Sequence, residues 1–135
     1  MIKKYMDKLF DMAQEVPMCG QARIVACVVY KKRVVSYGKN SYKSHPFHQR
    51  FKQREGSIYL HAETDAIKKA IKVIGEDALK KSTLYICRAK YEDHSCSKFV
   101  HGIAKPCTGC QKAIDEYNIK NVIYSTDTPD EFKIL

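Results

Sequence analysis
The chain has 135 residues, 24 Lys and Arg against 15 Asp and Glu for a formal net charge of +9, six Cys, no Trp and 44% hydrophobic residues. That length suits a single domain, residues 1–135, with a core that needs no disulfides, and the ordinary apolar content with six Gly and four Pro excludes a disordered or low-complexity chain. The longest apolar run, Ile24 to Tyr30, falls far short of the ~20 residues of a membrane helix, and Met1 to Asp7 turns charged before a signal-peptide core develops, so a cytoplasmic protein with reduced thiols is expected.

In chain order, Tyr5, Leu9, Met12 or Ala13, and Val16 recur at helical spacing and predict an amphipathic helix ended by Pro17 and Gly20. Arg23 to Tyr30 and Val34 to Tyr37 read as two strands joined by a tight basic turn at Lys31 and Lys32. Periodicity disappears from Gly38 to Ser57, where a long loop of the functional sort is expected. His61 to Ile74 is the clearest helix. Thr83 to Ala89 follows as a third strand, Lys90 to Ala104 as an irregular polar stretch, Cys107 to about Tyr117 as a helix, and Asn121 to Ser125 as a fourth strand. Alternating helix and strand in the second half implies right-handed crossovers and parallel neighbours, hence an α/β sandwich with a mixed sheet.

Charge is concentrated in one stretch. Between Glu15 and Glu55 there is no acidic residue, while nine of the basic residues lie there: Arg23, Lys31, Lys32, Arg33, Lys39, Lys43, Arg50, Lys52 and Arg54. The remaining 15 basic residues are balanced by 15 acidic ones, so this segment alone has the character of an anion-binding surface and favours a phosphate-bearing partner. Solvated side chains on turns are the competing reading.

Chemistry is concentrated in two short motifs. His61-Ala62-Glu63 opens one helix and Pro106-Cys107-Thr108-Gly109-Cys110 opens another. Cys107 and Cys110 are three residues apart, about 300° around a helix, so both sulfurs leave on one face and can share an ion. With His61 they make three protein ligands, and a catalytic zinc site keeps its fourth position for water. Pro106 is suited to the first helical position, where no N–H is needed, and the free N–H groups beyond it favour a thiolate at Cys107. Glu63 lies on the stripe continued by Ala66, Ile67, Ala70, Ile71 and Ile74, so a carboxylate points toward the sheet, where burial raises its pKa as a proton shuttle requires. His61 and Glu63 are about 200° apart on an ideal helix, so they converge on one ion only if His61 stands in the irregular turn that leads into it. Taken alone, His-x-Glu is equally a helix start with a favourable acid in its first turn.

Together these motifs resemble the zinc-dependent cytidine and deoxycytidylate deaminase superfamily, whose signature is His-x-Glu followed by Pro-Cys-x-x-Cys. The order hairpin, motif helix, strand, motif helix, strand is similar over nearly the whole chain. The resemblance implies a cytidine deaminase-like three-layer α/β/α sandwich with a mixed sheet of about five strands. It implies that His61, Cys107 and Cys110 bind Zn²⁺ and that Glu63 is the catalytic proton shuttle of a hydrolytic deaminase acting on a cyclic amidine. It also implies a homo-oligomer. Ala113-Ile114 followed by Ile119 to Tyr124 resembles the deoxycytidylate and tRNA-adenosine branch, whose last strands are parallel. Gly38-Lys39-Asn40 resembles the family's Gly-x-Asn, in which Asn40 touches the sugar or base, and the Ala62 backbone reads the base edge.

Two departures stand out. Asp65 replaces the Asn often found two residues after the catalytic Glu; it reads as a first-turn acid or as a partner for the other ring nitrogen of His61. The glycine-rich nucleotide loop is replaced by Asn40 to Arg50, where Tyr42, His45, Phe47 and His48 interleave with Lys43 and Arg50. Lys43, His45, His48 and Arg50 are therefore expected to stack a base while holding phosphate, with an oligomer contact as the alternative. Tyr124 ends the last strand, either reaching the mouth of the site or simply packed. Cys27 and Cys87 read as small core residues, Cys19 has no nameable partner, and His94, Cys96 and His101 form a conceivable second metal site. The expected substrate is a small pyrimidine nucleotide, dCMP above all. Cytosine or adenine in single-stranded DNA or RNA, a free nucleoside, a guanine-type ring and a non-catalytic zinc module remain alternatives, with no membrane partner.

Overall fold
The computed structural model describes residues 2–16, 23–40, 61–91, 98–128 and 130–135. Helix α1 (Ile2–Gln14) buries Tyr5, Met6, Leu9 and Ala13, so the stripe resolves to Ala13 with Met12 at its margin. Strands β1 (Ile24–Tyr30) and β2 (Arg33–Lys39) form an antiparallel hairpin whose two turn residues, Lys31 and Lys32, both have left-handed φ values of 51° and 64°. Such a turn matches the twist of its strands although lysine is not its usual occupant. Helix α2 (Ala62–Ile74) ends at Gly75, whose φ of 79° suits a residue without a Cβ, and the single turn α3 (Glu76–Leu79) follows.

Strand β3 (Thr83–Tyr91) is the centre of the sheet. Its first half pairs in parallel with β5 (Asn121–Ser125), and its second half pairs antiparallel with β4 (Phe99–Gly102) along the same edge, β1 holding the other edge. Helix α4 (Thr108–Glu116) makes the crossover to β5, and β6 (Phe132–Ile134) closes the sheet in the order β2-β1-β3-β5-β6. The parallel neighbours expected in the second half are β3 and β5. The additional strand β6 runs antiparallel to β5, because the chain turns back within a few residues of Ser125.

The sheet has six strands instead of about five. The stretch Lys90 to Ala104, read as irregular, contains the end of β3 and all of β4. Alternate residues of β1 and β3 face opposite layers. Val25, Cys27, Val29, Tyr85 and Cys87 pack against α1, whereas Ala26, Val28, Leu84 and Ile86 pack under α2 and α4. That is the three-layer α/β/α arrangement, and it follows from the period of two along each strand. Among the described residues, no helix is long and apolar enough to cross a membrane.

Candidate metal centre
The first turns of α2 and α4 meet above the sheet. His61 is the N-cap of α2, with φ −83° and ψ 147°, and Cys107 is the N-cap of α4, with φ −72° and ψ 172°. Both residues are extended, so their side chains leave in directions a helical residue does not use. The geometric condition on His61 is therefore met. Pro106 precedes the N-cap instead of occupying the first helical position, because the chain is still extended at Cys107. The backbone of His61 is tied down by its own helix: its carbonyl accepts from the Thr64 hydroxyl at 3.1 Å and from the Asp65 N–H at 3.1 Å.

The ligand atoms of His61, Cys107 and Cys110 lie within 4.8 Å of one another. His61 Nδ1 is 3.3 Å from the Cys110 sulfur and 3.4 Å from the Cys107 sulfur. A tetrahedral ion with Zn–N of ~2.0–2.1 Å and Zn–S of ~2.3 Å places a nitrogen and a sulfur donor about 3.6 Å apart, so the two His61–sulfur distances need only slight expansion to hold zinc. Donor chemistry agrees with that fit, since thiolate and imidazole together select zinc over oxygen-loving cations. The two thiols are inequivalent. A hydrogen bond from Cys110 pulls the Cys107 thiol far below its usual range, helped by His61 and the Cys110 backbone N–H, while Cys110 holds its proton well above it. A metal ion held here would displace the Cys110 proton.

Glu63 is 5% exposed, and burial pushes its carboxyl up, opposed chiefly by the charge of His61. The charge of Cys107 raises it further, and a hydrogen bond with the Cys110 thiol lowers it. Of the residues expected to contact substrate, Ala62 is buried in the first turn of α2. Asn40 is 6% exposed just beyond β2, where its Oδ1 accepts from the Ile24 N–H at 2.8 Å and its own N–H donates to the Ile24 carbonyl at 3.2 Å. Tyr124 lies in the core cluster beneath α2 and α4. Lys43, His45, His48 and Arg50 lie outside the described residues, as do Cys19, His94 and Cys96. His101 faces the other layer: its ring meets Phe10 edge-on at 4.4 Å, and its Nδ1 accepts from the Asp130 N–H at 3.4 Å.

Two residues that position the site carried little signal on their own. Gly38 lies so close to α2 that a Cβ there would collide with the Ala62 carbonyl and the Ala66 backbone. The glycine of the Gly-x-Asn segment thus lets the first turn of α2 descend onto β2. Asp65 accepts from the Lys39 N–H at 3.2 Å and from Lys69 Nζ at 3.0 Å, so this acid fastens the same turn to the end of β2.

Comparison with known proteins agrees with this arrangement. The cytidine and deoxycytidylate deaminase zinc-binding region matches residues 1–126. Among solved structures, a dCMP deaminase from the cyanophage S-TIM5 is 23% identical with a TM-score of 0.62, covering 91% of this chain and 80% of its own. The same phage enzyme in complex with dCMP and dUMP has a TM-score of 0.60 at 23% identity, over 90% of this chain and 78% of that one. A cytidine deaminase from Burkholderia pseudomallei is 15% identical with a TM-score of 0.64, over 100% of this chain and 92% of its own. No curated protein matches. Likeness at such identities establishes the fold, and the match across residues 1–126 establishes the lineage: the chain belongs to the cytidine and deoxycytidylate deaminase family and carries its zinc-binding region.

Proposed function
We propose that this hydrolytic deaminase converts a cytosine nucleotide, dCMP in the first instance, into the uracil nucleotide with release of ammonia. The observation that carries the reading is the meeting of three metal donors within 4.8 Å of one another with a buried carboxyl group two residues from His61. His61, Cys107 and Cys110 hold the zinc. When bound there, it supplies Lewis-acid activation of a water at neutral pH. Glu63 takes one proton from the attacking water and passes it to ring N3, then takes the remaining proton of the hydroxyl group formed at C4 and delivers it to the departing amino nitrogen. A C4–O bond forms, the C4–N bond breaks, and water plus cytosine become uracil plus ammonia.

Burial suits Glu63 to that task, since it holds the carboxyl above its ordinary range and so favours uptake of a proton from water. Ala62 and Asn40 border the cytosine, on the resemblance of their motifs. The acid-free basic segment supports a phosphate on the substrate, with Lys39 at the end of β2 and Lys43 and Arg50 further along the chain. The phage dCMP deaminase of the same fold, captured with dCMP and dUMP, supports the choice of nucleotide.

Ammonia release from dCMP, CMP, deoxycytidine, cytidine, guanine and a short cytosine-containing single strand tests this assignment. Turnover of dCMP with little of deoxycytidine is expected. Activity confined to the strand would replace the nucleotide with nucleic acid.

A further inference from the structure
The donor Cys107 is delivered by a strap. Residues 102–106 have no helix, and burial alternates along them: Gly102, Ala104 and Pro106 are buried while Ile103 and Lys105 are exposed. This segment crosses the end of the sheet where the edge of β3 changes partner. Ile86 is the last residue of β3 paired with β5, and Arg88 is the first paired with β4. Side chains of the β5 end fill that fork. The Ser125 hydroxyl donates to the Gly102 carbonyl at 2.6 Å and accepts from the Arg88 N–H at 3.1 Å. The Ser125 carbonyl accepts from the Ala104 N–H at 3.0 Å, and Asp127 Oδ1 accepts from the Ile103 N–H at 3.2 Å and from Lys90 Nζ at 2.8 Å. Three successive residues before Pro106 are thus anchored to residues at or just beyond the end of β5.

We propose that Ser125, with Asp127 in support, is a positioning residue for the metal ligand Cys107. The inference rests on the zinc reading of His61, Cys107 and Cys110. The Ser125 side chain is wholly buried, and its hydroxyl bridges two backbone groups that belong to β3 and β4. Its loss frees the last carbonyl of β4 and with it the start of the strap. Cys107 is five residues beyond Gly102; its carbonyl accepts from the Gln111 N–H at 2.8 Å, which ties its C-terminal side to α4, and no side chain caps that helix, so the upstream anchors set the direction from which the chain enters it. Cys110, inside α4, is held by its helix on both sides.

Replacing zinc by Co²⁺ gives an absorption band from each cobalt–thiolate bond, and competition with a chelator gives the affinity. Ser125→Ala is expected to weaken Co²⁺ binding by about tenfold or more and to alter the thiolate band. Ser82→Ala is the control, because Ser82 is equally buried and donates to the Ala78 carbonyl at 2.9 Å, outside the strap and its anchors. It is expected to lower the melting temperature without changing metal affinity or spectrum. Equal loss of affinity in Ser82→Ala and Ser125→Ala would overturn the inference, as would a Ser125→Ala protein with wild-type affinity and band. Should Ser125→Ala not fold, the exposed Asp127 carries the test: Asp127→Ala weakens Co²⁺ about threefold and Asp127→Asn, which keeps the acceptor for Ile103, restores it. Absence of that pattern rejects the role. A wild-type protein that takes up neither zinc nor cobalt would instead remove the metal site itself, and the positioning role with it.

Discussion

Two pairs of cysteines lie in different layers of this protein. Cys27 and Cys87 face α1, enclosed by Tyr5, Leu9 and Tyr85, and burial pushes both thiols up to about 12. Cys107 and Cys110 stand on the side of α2 and α4, where a neighbouring thiol, an imidazole and the first turn of a helix lower one of them far below its usual range. One residue type thus serves as inert filling in one layer and, in the other, stands in a group that could hold a metal ion. The difference lies in what accompanies the sulfur. A strand cysteine offers a small apolar surface, whereas a Cys-x-x-Cys that leads into a helix offers one sulfur from the extended N-cap and one from the first turn, beside the N–H groups of the helix start.

The largest effect is expected where the donors stay and the proton carrier is removed. Glu63→Gln should reduce ammonia release by about 10²–10⁴-fold while one zinc per chain is retained, as measured by metal analysis of the same preparation. Activity preserved in that variant would remove Glu63 from the mechanism. Exchanging one cysteine from each pair comes next. Cys107→Ser should abolish stoichiometric zinc, whereas Cys87→Ala should keep the metal and cost about 1 kcal/mol of stability by denaturant unfolding. Zinc loss in Cys87→Ala would show that the two layers are coupled.

The smallest effect is on the α1 side. Burial beside Phe10 and Phe132 holds His101 below its ordinary range, against the opposing charges of Asp130 and Asp7. When the folded value is depressed, the unfolded chain takes up the proton first. Stability present above the unfolded value of about 6.5 is therefore lost as pH falls through the folded one. The melting temperature should decline as the pH falls below about 6.5, and His101→Gln should flatten that decline. An unchanged slope would assign the acid sensitivity to other groups.

Long periodic segments were legible from residues alone. The helix beginning after His61, the hairpin at Lys31 and Lys32, and the parallel pair β3 and β5 correspond to strong patterns in the chain. Strands β4 and β6 were not legible. Phe99 to Gly102 and Phe132 to Ile134 are four and three residues long, too short for an alternation to register, and they are strands because β3 and β5 offer them open edges. The antiparallel turn back to β6 escaped the sequence reading for the same reason.

Residue types and spacing by themselves determined the metal chemistry here: two soft donors three apart, a histidine, and a carboxylate on the core-facing stripe of the same helix. Ligand identity is a local property, and a local pattern can record it. Tertiary structure alone decided how those groups come within bonding range of one ion. That depends on Gly38 allowing α2 to settle on β2, on Asp65 fastening its first turn, and on the end of β5 holding the strap before Cys107. Each of these contacts joins residues more than 20 positions apart, and a distance of that kind is set by packing, which no short window of sequence contains.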